Sequence, residues 1–306
     1  MLQPEIPAPA MSDPLAQALI DHSPATARTE AHLRAVLDQV LGTPGKLVRA
    51  RLVHAAASAH GLEAGAALQL ATAVEYFHLA SLLLDDLPCM DDAETRRGHP
   101  CVHRVHGDAS TILAALALVN RAYALAGFAL AGLPGFVRLQ AQACLDACLG
   151  PSGLVGGQAA DLRFAESDRS ARTAGRIAAA KTGALFWLAV YLPALVSGPG
   201  ARERRSLKAL CIYWGLACQA IDDLGDVLAT SVESGKTTGR DRALARPNLA
   251  LALGVPAVRT RIARLNALAE REVDHLLASN AERYHYLAGF QRDFCAISSR
   301  DASNAA

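Results

Sequence analysis

Four aspartates within eight residues, Asp85, Asp86, Asp91 and Asp92, close an apolar run and are followed, after three intervening residues, by Arg96 and Arg97. Carboxylates this close repel one another and raise each other's pKa unless a cation sits among them. A second cluster, Asp222, Asp223 and Asp226, ends the run CQAIDDLGD in the same way. Asp222 and Asp226 stand four apart and so share one helical face. Six residues of regular helix would set Asp85 and Asp91 on different faces, but Pro88 breaks the helix between them and lets Asp91 fold back. A few hard carboxylate oxygens suit magnesium, which keeps several waters and takes its other ligands from substrate phosphates. Arginines and lysines elsewhere then become the clamps of a diphosphate.

Such clusters need rigid elements that bring them face to face. Apolar residues recur at intervals of three and four from about residue 28 onward, with almost no strand-like alternation. The fold class expected is therefore all-α, a single-domain antiparallel helix bundle over residues 28–306 with a loose N-terminal tail, residues 1–27. Hydrophobic residues make up 52% of the chain, ample for a core. Lys plus Arg (30) nearly balances Asp plus Glu (29), which argues against nucleic-acid binding, where phosphate neutralisation needs a clustered excess of cations. No membrane span is expected, because the most apolar run, GALFWLAVYLPALVSG, is short and carries Pro193. The proline-bearing, acidic N-terminus does not read as a signal peptide, so the expected location is cytoplasmic. Seven cysteines in a chain of this size do not suggest a disulfide framework, and Cys144 and Cys148 read as small packing residues on one helix face.

The ordered series GKLVR (45–49), DDLPCMDD (85–92) with RRGHP behind it, GGQAAD (156–161), KT (181–182), QAIDDLGD (219–226) and GKTTGRD (235–241) resembles the trans-isoprenyl diphosphate synthases, or polyprenyl synthetases, of short-chain type. It is most similar to those that make geranylgeranyl diphosphate. The resemblance implies an isoprenoid-synthase helix bundle around a central cavity, a homodimer, and head-to-tail condensation of isopentenyl diphosphate with an allylic diphosphate. It implies three magnesium ions when the allylic diphosphate is bound. Asp85 and Asp91 would hold two of them and Asp222 the third, with Asp86, Asp226 and Asp241 in support. Arg96, Lys181, Thr182, Gln219 and Lys236 match the allylic diphosphate site, and Lys46, Arg49, His78 and Arg97 the isopentenyl diphosphate site. Gln158 and Asp161 fall where the family places polar groups near the reacting carbons. The chain departs from the family pattern at Leu47, Ala50 and His99 and over Arg246-Pro247-Asn248, and its C-terminus lacks a basic residue.

In this family the growing tail runs beside the helix before the first aspartates. Ala80 and Ser81 are small, and one turn deeper, about 5.4 Å along the axis, stand Tyr76 and Phe77. A floor at Phe77 and Tyr76, one turn below Ser81 and Ala80, implies a twenty-carbon product, with fifteen or twenty-five carbons as alternatives. A class I terpene cyclase shares the first motif, and a silent regulatory subunit shares the fold, but such subunits lose aspartates that this chain keeps. His99, His103 and His106 beside Cys101 do not form a convincing zinc set, since Pro100 interrupts the run. SGKTTG lacks the glycine that a nucleotide phosphate loop needs at position 230, which is threonine.

Overall fold

A computed structural model describes residues 13–231, 235 and 237–303. The chain opens with α1 (Pro14–Asp21), α2 (Ala31–Gly42), α3 (Val48–Ala59) and α4 (Ala64–Asp85). A small hairpin of β1 (Thr95–Arg96) and β2 (His99–Pro100) follows, then α5 (Val102–His106), α6 (Asp108–Ala129), α7 (Gly135–Leu149), α8 (Leu154–Leu162), α9 (Ala171–Ala178) and α10 (Ala184–Ala194). The rest is α11 (Ala201–Leu228), the short α12 (Arg240–Ala243) and α13 (Leu249–Leu253), α14 (Val255–Ser279) and α15 (Ala281–Ser303). The expected all-α bundle is what forms.

α4 is the axis of the bundle because it is apolar on every side, and a helix of that kind can only be interior. Its buried residues run around the whole circumference, from Leu70 and Ala73 to Tyr76, Phe77 and Ala80. It packs against α3 and α6, while α11 packs against α10 and α14. Trp214 of α11 is fully buried among Phe186, Phe290 and Phe294, and its indole N–H is satisfied by Gln291 Oε1 at 2.6 Å. A second, smaller apolar cluster around Leu224, Leu249 and Ile262 carries α13 beneath the end of α11.

One expectation is corrected here. Residues 14–21, placed in a loose tail, form a helix. Asp13 caps it by accepting the Leu15 N–H at 3.1 Å and also pairs with Arg51. Eight residues make a marginal helix alone, but Leu15 and Leu19 are buried, each worth about 2 kcal/mol over exposure. By length and composition alone, three stretches among the described residues could also cross a membrane: α4, α6 and residues 171–197. Alanine and leucine raise their hydropathy. In α4 and 171–197 most of the apolar window is buried within the protein (67% and 61%), against 39% in α6.

Candidate active site

Where α4 ends, the chain folds back on itself. The Asp91 N–H donates to the Asp85 carbonyl at 3.0 Å and the Ala93 N–H to Asp86 at 3.2 Å, a local closure that Pro88 permits by stopping the helix. Asp85 and Asp91 thereby line one cavity of about 220 Å³, and Asp222, Asp226 and Asp241 line it from α11 and α12. Asp86 does not line it. Its carboxylate is committed to a bidentate pair with Arg96, both oxygens accepting from the guanidinium at 2.6–2.9 Å, so the expectation that it serves the metal is not met in this geometry. Asp223 also turns inward. Its two oxygens accept from Gln219 Nε2 (2.9 Å) and the Leu249 N–H (2.7 Å), and its burial pushes the carboxyl up to about 7. Gln219 in turn accepts from the Thr182 hydroxyl at 3.3 Å, and both side chains reach the cavity.

Lys181 and Thr182 sit on one π-helical turn, Ala179–Gly183, between α9 and α10. Such bulges recur at functional sites because they re-aim side chains. Two glycines let neighbouring helices close on this turn. A Cβ on Gly157 of α8 would come within 2.6 Å of the Lys181 nitrogen, and one on Gly215 of α11 within 2.6 Å of the Gly183 Cα. The turn presents the Lys181 ammonium to Asp85 (3.5 Å) and Asp161 (3.8 Å). Burial pushes Asp85 up to about 6 against the pull of Lys181, and Asp161 rises for the same reason. Burial alone would lower the lysine, but Asp85, Asp161 and Asp91 outweigh it and the net shift is upward.

The expected isopentenyl diphosphate set is only partly assembled. Arg49 and His78 line the cavity, with Arg49 Nη1 donating to His78 Nε2 at 3.2 Å. Arg97 instead donates to the Thr43 carbonyl (2.9 Å) and borders a separate recess between α2, α4 and the hairpin. It occupies a tight turn, where Arg97 and Gly98 both have positive φ (54° and 77°), as the twist of a two-residue hairpin requires. Lys46 is exposed and lines no part of the cavity. Gln158 is also outside it, donating to the Met90 sulfur at 3.8 Å. Lys236 lies outside the described residues. Ser81 reaches the cavity, whereas Ala80 and Phe77 are buried behind it. The Phe77 ring meets Tyr123 of α6 edge-on, with centroids 4.9 Å apart. Tyr76 is no floor: its hydroxyl donates to the Leu19 carbonyl of α1 on another side of α4.

The sequence profile of the family described as Polyprenyl synthetase matches residues 30–277. This chain belongs to the polyprenyl synthetase family. A geranylgeranyl diphosphate synthase of Pseudescherichia vulneris is 38% identical over 72% of this chain and 70% of its own length. One of Pantoea ananas is 34% identical over 83% of each. A farnesyl diphosphate synthase of Geobacillus stearothermophilus is also 34% identical, over 69% of this chain and 72% of its own. Among solved structures, a Helicobacter pylori geranyltransferase complexed with magnesium and isoprenyl diphosphate shares the fold at a TM-score of 0.82 and 24% identity, covering 92% of this chain and 94% of its own. An apo FPP/GFPP synthase of Zymomonas mobilis aligns at a TM-score of 0.76 and 29% identity, covering 91% and 93%. The chain is accordingly a prenyl diphosphate synthase, a transferase.

In this polyprenyl synthetase two cations escaped the reading of motifs. Arg246 holds the fold-back loop by donating to the Met90 carbonyl (2.8 Å) and approaches Asp91 (3.4 Å) and Asp161 (3.9 Å). Arg240 donates to the Asp91 carbonyl at 2.8 Å and approaches Asp92 at 3.6 Å. The GKTTGRD motif placed Arg240 beside Asp241, and that adjacency was the available signal. The Thr237 hydroxyl adds a clasp between the motifs, accepting the N–H groups of Glu94 (2.9 Å) and Thr95 (3.1 Å). The carboxylates fit magnesium in type: all donors are hard oxygens, and Asp91 Oδ1 is buried without a hydrogen bond. Among the described residues no group of three or more carboxylates, histidines or cysteines is placed to hold an ion by itself.

Proposed function

We propose that this synthase joins isopentenyl diphosphate head to tail with an allylic diphosphate, with magnesium, and releases mainly the twenty-carbon geranylgeranyl diphosphate. The observation that carries the reading is the convergence of Asp85, Asp91, Asp222 and Asp226 on one cavity that also receives Lys181, Arg240 and Arg246. The four carboxylates would hold magnesium, which when bound offsets the charge developing on the departing diphosphate. Lys181 and the two arginines supply donors aimed where that charge grows, and Thr182 and Gln219 fix their neighbours by the hydrogen bonds described above. Leu154 and Leu185 wall the same cavity and would keep water from the allylic carbon. Arg49 and His78, on its α3 and α4 side, receive the second diphosphate. Burial first, then the charges of Arg49, Arg97 and Arg96, keep His78 neutral, so its Nε2 accepts from Arg49 and its Nδ1–H remains to donate.

Two further parts of the proposal rest on particular residues. Small side chains at Ala80 and Ser81 and the Phe77–Tyr123 contact one turn deeper support a twenty-carbon limit, as do the geranylgeranyl diphosphate synthases among the relatives. An exposed apolar face on α6 and α7, with Leu113 (54%), Leu116 (58%), Phe128 (61%), Phe136 (67%) and Leu139 (74%), supports a homodimer formed with a second copy. The test is incubation with magnesium, isopentenyl diphosphate and, in turn, dimethylallyl, geranyl and farnesyl diphosphate. Elongation to twenty carbons by chromatography is expected. Hydrocarbon release would mark a cyclase, and absence of turnover a silent subunit, either of which overturns the reading.

A further inference from the structure

α3 begins without a cap of its own. Its N-cap residue, Leu47, is buried at φ 53° and has no side-chain acceptor for the first-turn N–H groups. Those donors need partners, and a helix start inside a protein rarely leaves them unmet. The partner comes from another helix. Glu75, in the middle of α4 and 1% exposed, accepts the Ala50 N–H through Oε2 at 3.2 Å. A carboxylate in an apolar helix is costly to bury, so its retention there calls for a task.

Glu75 and His78 stand three residues apart on the face of α4 that meets the start of α3. Arg49, in that first turn, donates to His78 and places its guanidinium carbon 5.4 Å from the centre of the Phe186 ring. Arg49 Nε and His78 Nδ1 are buried and have no protein partner. Burial raises the Glu75 carboxyl, opposed first by the charge of Arg49, then by the Ala50 bond and Arg97.

We infer that Glu75 is a positioning residue. It caps α3 from α4, and by fixing that first turn it holds Arg49 against His78 in the arrangement that receives isopentenyl diphosphate. The inference rests on the reading in the preceding subsection. Glu75 touches no substrate and acts only through Arg49.

The test separates the two substrates. Glu75→Leu, close in volume and without an acceptor, should raise KM for isopentenyl diphosphate about tenfold, with KM for the allylic diphosphate and kcat within about twofold. Glu75→Gln keeps an acceptor for Ala50 and should recover most of the loss. Glu75→Asp, which keeps the charge but shortens the reach, should resemble Glu75→Leu and carries the test should the leucine variant fail to fold. Calorimetric titration of isopentenyl diphosphate without allylic substrate should show the same order of affinities. Equal rises in both KM values, or no rise in either, would overturn the assignment, because a purely structural defect does not choose between substrates. Wild type active with indifferent variants defeats the proposal alone, whereas wild type inert toward isopentenyl diphosphate defeats the underlying reading and the proposal with it.

Discussion

The two acidic clusters reach the same cavity by different constructions. The first is a fold-back loop: Asp85 ends a helix, Asp91 returns to it by a backbone hydrogen bond, and Arg240 and Arg246 tie the loop down through the carbonyls of Asp91 and Met90. The second is continuous helix, with Asp222 and Asp226 one turn apart on α11. In both, the second aspartate of the adjacent pair turns away from the cavity. Asp86 locks the hairpin through Arg96, and Asp223 locks α13 through the Leu249 N–H. Each of these two DD pairs thus divides into one carboxylate that faces the cavity and one that is bonded into the scaffold.

That division is open to direct attack. Asp85→Ala and Asp222→Ala should each lower kcat/KM by about a thousandfold, with little change in melting temperature, as steady-state assays with labelled isopentenyl diphosphate would show. Asp223→Ala should invert the pattern. It strands the Leu249 N–H and the Gln219 amide, and stability should fall by about 2–3 kcal/mol in urea unfolding, with a smaller loss of rate than at Asp222. If Asp223→Ala is as inactive as Asp222→Ala while melting normally, the proposed division of labour is wrong.

The geometry explains how far the sequence could be read. A spacing of four predicts the Asp222–Asp226 face because helix period alone decides it, and Pro88 announces the fold-back because its ring cannot continue the helix. Which aspartate of a pair faces the cavity depends instead on remote partners: Leu249 lies 26 residues beyond Asp223, and no local pattern fixes that contact. The Lys181 turn was visible as a motif, but its π geometry was not, nor was the close approach of two helices that Gly157 and Gly215 permit there, which is set by residues remote in sequence. Tyr76 misled for a similar reason, because its partner is a carbonyl of α1. That helix did carry a local signal. Asp13 before Pro14 is an N-cap followed by a proline at the first helical position, outweighed in the reading by the prolines before it.

The clasp between the clusters supplies a finer test. Thr237→Val keeps the shape of the side chain but removes the acceptor for Glu94 and Thr95, leaving the backbone bonds from Gly98 N–H to the Gly235 carbonyl (2.8 Å) and from Thr237 N–H to the Thr95 carbonyl (3.3 Å). One net hydrogen bond is worth about 1 kcal/mol, so KM for the allylic diphosphate should rise about fivefold with the melting temperature nearly unchanged. An unchanged KM would mean that the clusters are set independently.

The smallest effect is a control at the opposite end of the bundle, where a titrating group has no part in the site. His60 of the α3 C-cap is buried, bonded to Ser197 Oγ at 2.7 Å, and its pKa is lowered to about 4, by burial first and then by Arg283, with Glu203 opposing. The unfolded chain takes up this proton near pH 6.5 and the folded chain only near 4, so protons favour unfolding between those values. Stability from this group is complete above pH 6.5, falls by about 1 kcal/mol between pH 6.5 and 5.5, and stops falling below about 4. His60→Asn should flatten that slope in pH-dependent urea unfolding and leave the acid limb of the activity profile where it was. If the acid limb moves with it, loss of activity in acid reflects unfolding, and the proton sensitivity of the aspartate clusters has to be read again from a stability-corrected profile.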